Sequence, residues 1–211
     1  MKDIQTKKEE FWNTFTHAIG LLLALTGIVI LYRSARFENE NLRLGLILYS
    51  ISLILLYAAS TGYHFVSKKN LKRKLRVVDH ISIFFLIAGT YSPMVLTLLK
   101  DSYGIYLFYT VWGIAILGTI LKLFFTGRFE KLSLILYLLM GLLIVIDSLA
   151  VFNTFSSMEI LMLILGGVFY IVGIYFYTKS SMYFNHVIWH IFVLLGSFSH
   201  FLMIYFTVAR S

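Results

Sequence analysis

Seven long apolar stretches, separated by short polar connections, take up almost the whole chain. They cover residues 15–32, 42–65, 77–99, 104–125, 133–152, 159–177 and 183–206. Each is close to the roughly 20 residues a helix needs to cross about 30 Å of hydrocarbon. A backbone in lipid must satisfy its own N–H and C=O groups, which makes the helix the spanning form for such stretches. Short connections make neighbouring helices antiparallel. The pattern therefore predicts an all-α membrane protein, a seven-transmembrane-helix bundle. Residues 1–14 read as a cytoplasmic interfacial lead-in, 15–206 as one transmembrane domain and 207–211 as a short external tail.

Composition supports this division. Of 211 residues 59% are hydrophobic and only 13% charged, where a soluble domain carries about 25%. There is no cysteine, so a disulfide framework and a thiolate metal site are both excluded, and any transition metal must be held by histidine, carboxylate or water. The opening MKDIQTKKEEFWN is too polar for a secretory signal, and no small-residue cleavage site follows the first apolar run. That run reads as a retained first span.

The net charge of +8 acquires meaning from its distribution. Basic residues sit in the short connections, not on a separable domain, which argues against nucleic acid as a partner and for membrane lipids with anionic headgroups. Thirteen Lys and Arg lie on one side, at Lys2, Lys7, Lys8, Lys68, Lys69, Lys72, Arg73, Lys74, Arg76, Lys122, Arg128, Lys131 and Lys179. Five lie on the other, at Arg33, Arg36, Arg43, Lys100 and Arg210. The positive-inside rule then puts the N-terminus in the cytoplasm and the C-terminus outside.

Ionisable groups inside spans cost about 2.5–3.5 kcal/mol each at mid-bilayer and mark functional sites. His64 closes span two, Asp79 opens span three, and His186 and His190 occupy the first two turns of span seven. All four fall at the cytoplasmic membrane edge, as does His17 in span one. Residues four apart on a helix differ by about 40° around its axis, so His186 and His190 share a face. With His64 they form a three-histidine set suited to zinc, which leaves one tetrahedral position for water of pKa about 7. Asp79 is the acidic residue at the depth needed to accept that water's proton. Ser60, one turn from His64, can bond a neighbouring group or a developing oxyanion. A lone i,i+4 histidine pair would as readily bond neighbouring helices, and bis-histidine haem ligation would leave Asp79 unexplained.

Other polar residues have plainer readings. His80 points about 100° away from Asp79 and reads as an interfacial residue; Lys122 reads as snorkelling near a helix end. His200 reads as a packing or hydrogen-bonding histidine, and Asp147 as a cavity-lining group or an inter-helix hydrogen-bond acceptor. Pro93, in the run Gly89-Thr90-Tyr91-Ser92-Pro93, is expected to kink span three mid-membrane and widen a cavity. Glu10, Asn13 and His17 lie within about 60° on one helical face, flanked by Phe11, Trp12 and Phe15. They form either an amphipathic lead-in at the interface or a polar face closing over the metal site.

Together Glu10-x-x-Asn13-x-x-x-His17, Ser60-x-x-x-His64, Asp79, the Gly-Thr-Tyr-Ser-Pro run and His186-x-x-x-His190 resemble the bacterial hemolysin III family. That family groups with the progestin and adipoQ receptors and the alkaline ceramidases. The resemblance covers nearly the whole chain. It implies a seven-helix bundle in the bacterial plasma membrane, with zinc on the cytoplasmic side held by His64, His186 and His190, and with Asp79 and Ser60 near a zinc-bound water. In the relatives this site is associated with hydrolysis of lipid amides such as ceramide. The chain has no counterpart of the animal receptors' long N-terminal domain, so hormone reception is not implied. The family name implies cytolysis, yet no amphipathic pore-forming segment stands out. Two functions remain: a zinc-dependent hydrolase of a lipid amide or ester, or a non-enzymatic membrane protein whose zinc is structural or sensory and which modulates the membrane or acts as a cytolysin.

Overall fold

In a computed structural model describing residues 5–36 and 39–210, the chain is helical throughout and holds no strand among those residues. The helices are α1 (Lys7–Ser34), α2 (Glu40–Phe65), α3 (Lys69–Thr97), α4 (Gly104–Phe125), α5 (Glu130–Leu142), α6 (Ser148–Thr154), α7 (Ser157–Thr178) and α8 (Asn185–Arg210). A 3₁₀ segment, Leu143–Asp147, joins α5 to α6, so the two make one span. Among the described residues seven helical spans are thus long and apolar enough to cross a membrane. The chain folds back at each connection, and α1, α3, α5 and α8 all begin at one end of the bundle. The basic residues cluster at that end.

Two expected boundaries move outward. The lead-in is no separate segment: α1 starts at Lys7 under a capping box in which Thr6 and Glu9 satisfy each other's backbone N–H groups. The basic connection before span three is helical from Lys69, eight residues before the apolar stretch. Lys, Arg and Leu are good helix formers and no Gly or Pro interrupts them, so charge ends the apolar run without ending the helix.

The core lies among α1, α2, α3 and α8. Leu46, Tyr49, Leu53, Leu56, Met94, Val95, Met203 and Ile204 are buried there. The fifth and sixth spans are peripheral, with only 17% and 11% of their apolar windows buried. Their exposed Leu139, Ile146, Phe152, Ile164 and Ile171 belong in hydrocarbon.

An interruption that the apolar pattern did not announce falls in span five. Pro93 lies one turn from the end of α3, buried, and a Cβ on Gly45 of α2 would fall 2.5 Å from its Cα. The backbones of α2 and α3 therefore pack closely at this point. Span five is interrupted by Tyr91 of the same run. Its hydroxyl donates toward the carbonyls of Met140 (2.8 Å) and Gly141 (3.1 Å) and accepts the Ile144 N–H (2.9 Å). A side chain entering the i→i−4 ladder in this way turns a helix into a short 3₁₀ stretch. Asp147 at the end of the stretch accepts from Ser102 Oγ (2.6 Å) and Tyr103 N–H (3.1 Å), the inter-helix role among its two expected readings.

Candidate metal centre

Three imidazoles meet where α2 ends and α8 begins. One nitrogen each from His64, His186 and His190 lies within 4.8 Å of the other two. His186 and His190, one turn apart on α8, have ring centroids 4.7 Å apart. The His64 ring is 5.1 Å from the former and 4.9 Å from the latter.

One nitrogen on each of two of these rings is spoken for. His64 Nδ1 lies 2.8 Å from Glu10 Oε2, an acceptor, so the ring donates from Nδ1 and keeps its lone pair on Nε2. That Nε2 is buried without a hydrogen-bond partner. His190 Nδ1 lies 3.2 Å from the Asn13 backbone carbonyl, with Thr16 Oγ1 3.3 Å away. A carbonyl accepts only, so His190 too holds its lone pair on Nε2. Orphaned buried polar atoms cost about 1–3 kcal/mol each, and converging imidazole lone pairs are the donor set a divalent zinc prefers. The residues present fit such an ion.

Glu10, Asn13 and His17 all face this centre from α1. Asn13 is fully buried and donates its side-chain amide to Gln5 Oε1 (2.7 Å). The His17 ring stacks on His190 at 3.6 Å and 14°, meets Tyr57 edge-on at 5.2 Å, and leaves both nitrogens buried and unpartnered. This face of α1 therefore lies against His64 and His190.

Asp79 lies on α3, buried, and stays outside the compact three-histidine group. The buried Ser60 hydroxyl of α2 lies close enough to interact with its carboxylate. The pair links α2 to α3 one turn from His64. Lys72, which the sequence marks only as one of the basic cluster, pairs with Glu10 Oε1 at 2.9 Å and donates to the Tyr63 carbonyl at 3.0 Å. Its position was obscured by reading residues 68–76 as a loop; with α3 extended, Lys72 falls beside the end of α2.

Two plainer readings change. Lys122 does not snorkel: it is 1% exposed and donates to Glu130 Oε2 at 2.7 Å. His80 and Arg76 approach the same carboxylate at 3.4 and 3.6 Å, so His80 is part of a partly buried charge cluster with Glu130 and Lys122. His200 packs on Gly166, with Nε2 3.3 Å from the Leu163 carbonyl.

Comparison with known proteins now bears on the chain as a whole. The family model described as "Haemolysin-III related" matches residues 5–201. The chain belongs to that family. It is 39% identical over 202 residues to "Hemolysin-3 homolog" of Bacillus subtilis (strain 168), covering 95% of each chain. It is 35% identical over 205 residues to "Hemolysin-3" of Bacillus cereus, covering 97% of this chain and 94% of that one. Similarity extends to "Monocyte to macrophage differentiation factor" of Homo sapiens, at 28% over 207 residues, 94% of this chain and 84% of the relative. This family member is a multi-pass membrane protein, and every motif from Glu10 to His190 lies within the matched region.

Proposed function

We propose that this hemolysin III family member is a zinc-dependent membrane hydrolase acting on a lipid amide or ester that enters laterally from the bilayer. The observation that carries the reading is the gathering of one nitrogen each from His64, His186 and His190 within 4.8 Å, with His64 Nε2 buried and without a hydrogen-bond partner. His64, His186 and His190 would hold the ion. A zinc ion so held supplies Lewis acidity and lowers the pKa of water to about 7.

The chain's own groups would do the rest. Asp79 takes the proton of the attacking water on a carboxylate oxygen as the water oxygen bonds to the acyl carbon. It returns that proton to the departing amine nitrogen or alkoxide oxygen as the C–N or C–O bond breaks. Ser60 keeps the carboxylate aimed, since its hydroxyl is the partner already in place. The α1 face with Asn13 and His17 limits bulk water at the centre.

A second reading, a structural or sensory zinc, is favoured by one feature: His17 offers a fourth imidazole against His190 with both nitrogens unpartnered. Metal analysis separates the two. Purified protein is expected to carry about one zinc per chain, lost in the His186→Ala, His190→Ala double variant and kept in His17→Ala. Wild-type zinc content in the double variant would sink the site. Zinc loss in His17→Ala would move the weight to a closed four-histidine site without turnover.

A further inference from the structure

Helix α1 reaches two of the three candidate ligands through their Nδ1 nitrogens. For His190 the acceptor is the backbone carbonyl of Asn13, which no side-chain replacement removes. For His64 it is a carboxylate, Glu10 Oε2 at 2.8 Å. The carboxylate is itself held. Lys72 Nζ lies 2.9 Å from its other oxygen, donates to the Tyr63 carbonyl at 3.0 Å, and sits 4.8 Å over the Tyr63 ring. Each Glu10 oxygen therefore has its own partner, one from the end of α2 and one from the start of α3.

A histidine ligand is orientated by the acceptor of its second ring N–H, which fixes both the tautomer and the ring plane. We propose that Glu10 is the positioning residue of the candidate metal centre. Its Oε2 holds His64 in the tautomer whose Nε2 lone pair faces His186 and His190, and Lys72 holds Glu10 for that task. The proposal rests on the zinc reading above. It is distinct from a role as ligand, because Glu10 meets His64 at Nδ1, leaves the unpartnered Nε2 free for an ion, and is no member of the three-histidine group. It is also distinct from a covering role, because a cover needs bulk and no acceptor.

Two variants separate these roles. Glu10→Gln keeps an acceptor oxygen; Glu10→Met keeps length and removes every acceptor. Zinc affinity of the full chain in detergent or lipid nanodiscs, by chelator competition, is expected to fall roughly 10–100-fold in Glu10→Met. Glu10→Gln should recover most of that loss. With Co²⁺ in place of zinc, the visible band of a tetrahedral site should broaden in Glu10→Met and be restored in Glu10→Gln. Wild-type affinity in Glu10→Met, with zinc still lost in the His186→Ala, His190→Ala control, overturns the positioning role and leaves the zinc site standing. Equal losses in Glu10→Gln and Glu10→Met would show a charge effect and overturn it as well. Absence of zinc binding by wild-type protein overturns the site and this role together. Should Glu10→Met fail to fold, ¹⁵N-histidine spectra of metal-free wild-type protein decide. An Nδ1–H tautomer of His64 supports the proposal; an Nε2–H tautomer ends it.

Discussion

At the scale of single residues, the centre joins side chains whose roles can be separated by substitution. Asp79→Asn is expected to retain most of the zinc and lose turnover of a lipid amide, because an amide side chain cannot accept the water's proton. Ser60→Ala removes only the partner of that carboxylate, and should lower activity by a factor of roughly 10–100. Zinc content measured beside lipid-amide hydrolysis in membranes checks both; loss of zinc in Asp79→Asn would make Asp79 a ligand. His64, Asp79, His186 and His190 were legible in the sequence because charge and imidazole inside apolar spans are conspicuous. Lys72 and Thr16 were not. A lysine among five other basic residues gives no sign that it reaches across to Glu10, and a threonine in an apolar helix gives no sign of a histidine 3.3 Å away.

At the scale of elements, apolar length determined which stretches became spans, and charge blurred where they began. The break in span five lay beyond any reading of its own residues. Leu143-Ile144-Val145-Ile146 is as apolar as any stretch in the chain, and the hydroxyl that interrupts it belongs to α3. Tyr91→Phe leaves the ring in place and removes one donor and one acceptor from the Met140, Gly141 and Ile144 backbone groups. We expect a loss of about 1–3 kcal/mol, the cost of leaving such groups unsatisfied, seen as a lowered thermal midpoint in detergent. An unchanged midpoint would mean that span five closes its own ladder once the tyrosine is gone. The same reasoning applies to Glu130, which faces Lys122, Arg76 and His80. Glu130→Leu leaves the Lys122 ammonium buried without its carboxylate, and should cost about 3–5 kcal/mol, enough to lower the yield of folded protein. Recovery of stability in the Glu130→Leu, Lys122→Met double variant would identify the unpaired charge as the cause.

At the scale of the molecule, the positive-inside rule applied to the thirteen-to-five division of Lys and Arg would put the end of the bundle where α1 begins in the cytoplasm. Reporters fused to the two termini are expected to show the N-terminus inside and the C-terminus outside; a cytoplasmic signal from both would contradict the assignment. That end carries the histidines, so a hydrolase here would release its polar product to the cell interior. The joining of His190 to Asn13 and Thr16 spans separations of 177 and 174 residues, and this has a consequence for biosynthesis. Helix α1 enters the membrane first and α8 last. During synthesis Glu10 can meet His64 early, but the two remaining imidazoles arrive only when translation is nearly finished. No nascent chain that stops short of His190 can assemble the full set of three, so metal capture would be confined to molecules that have inserted every span.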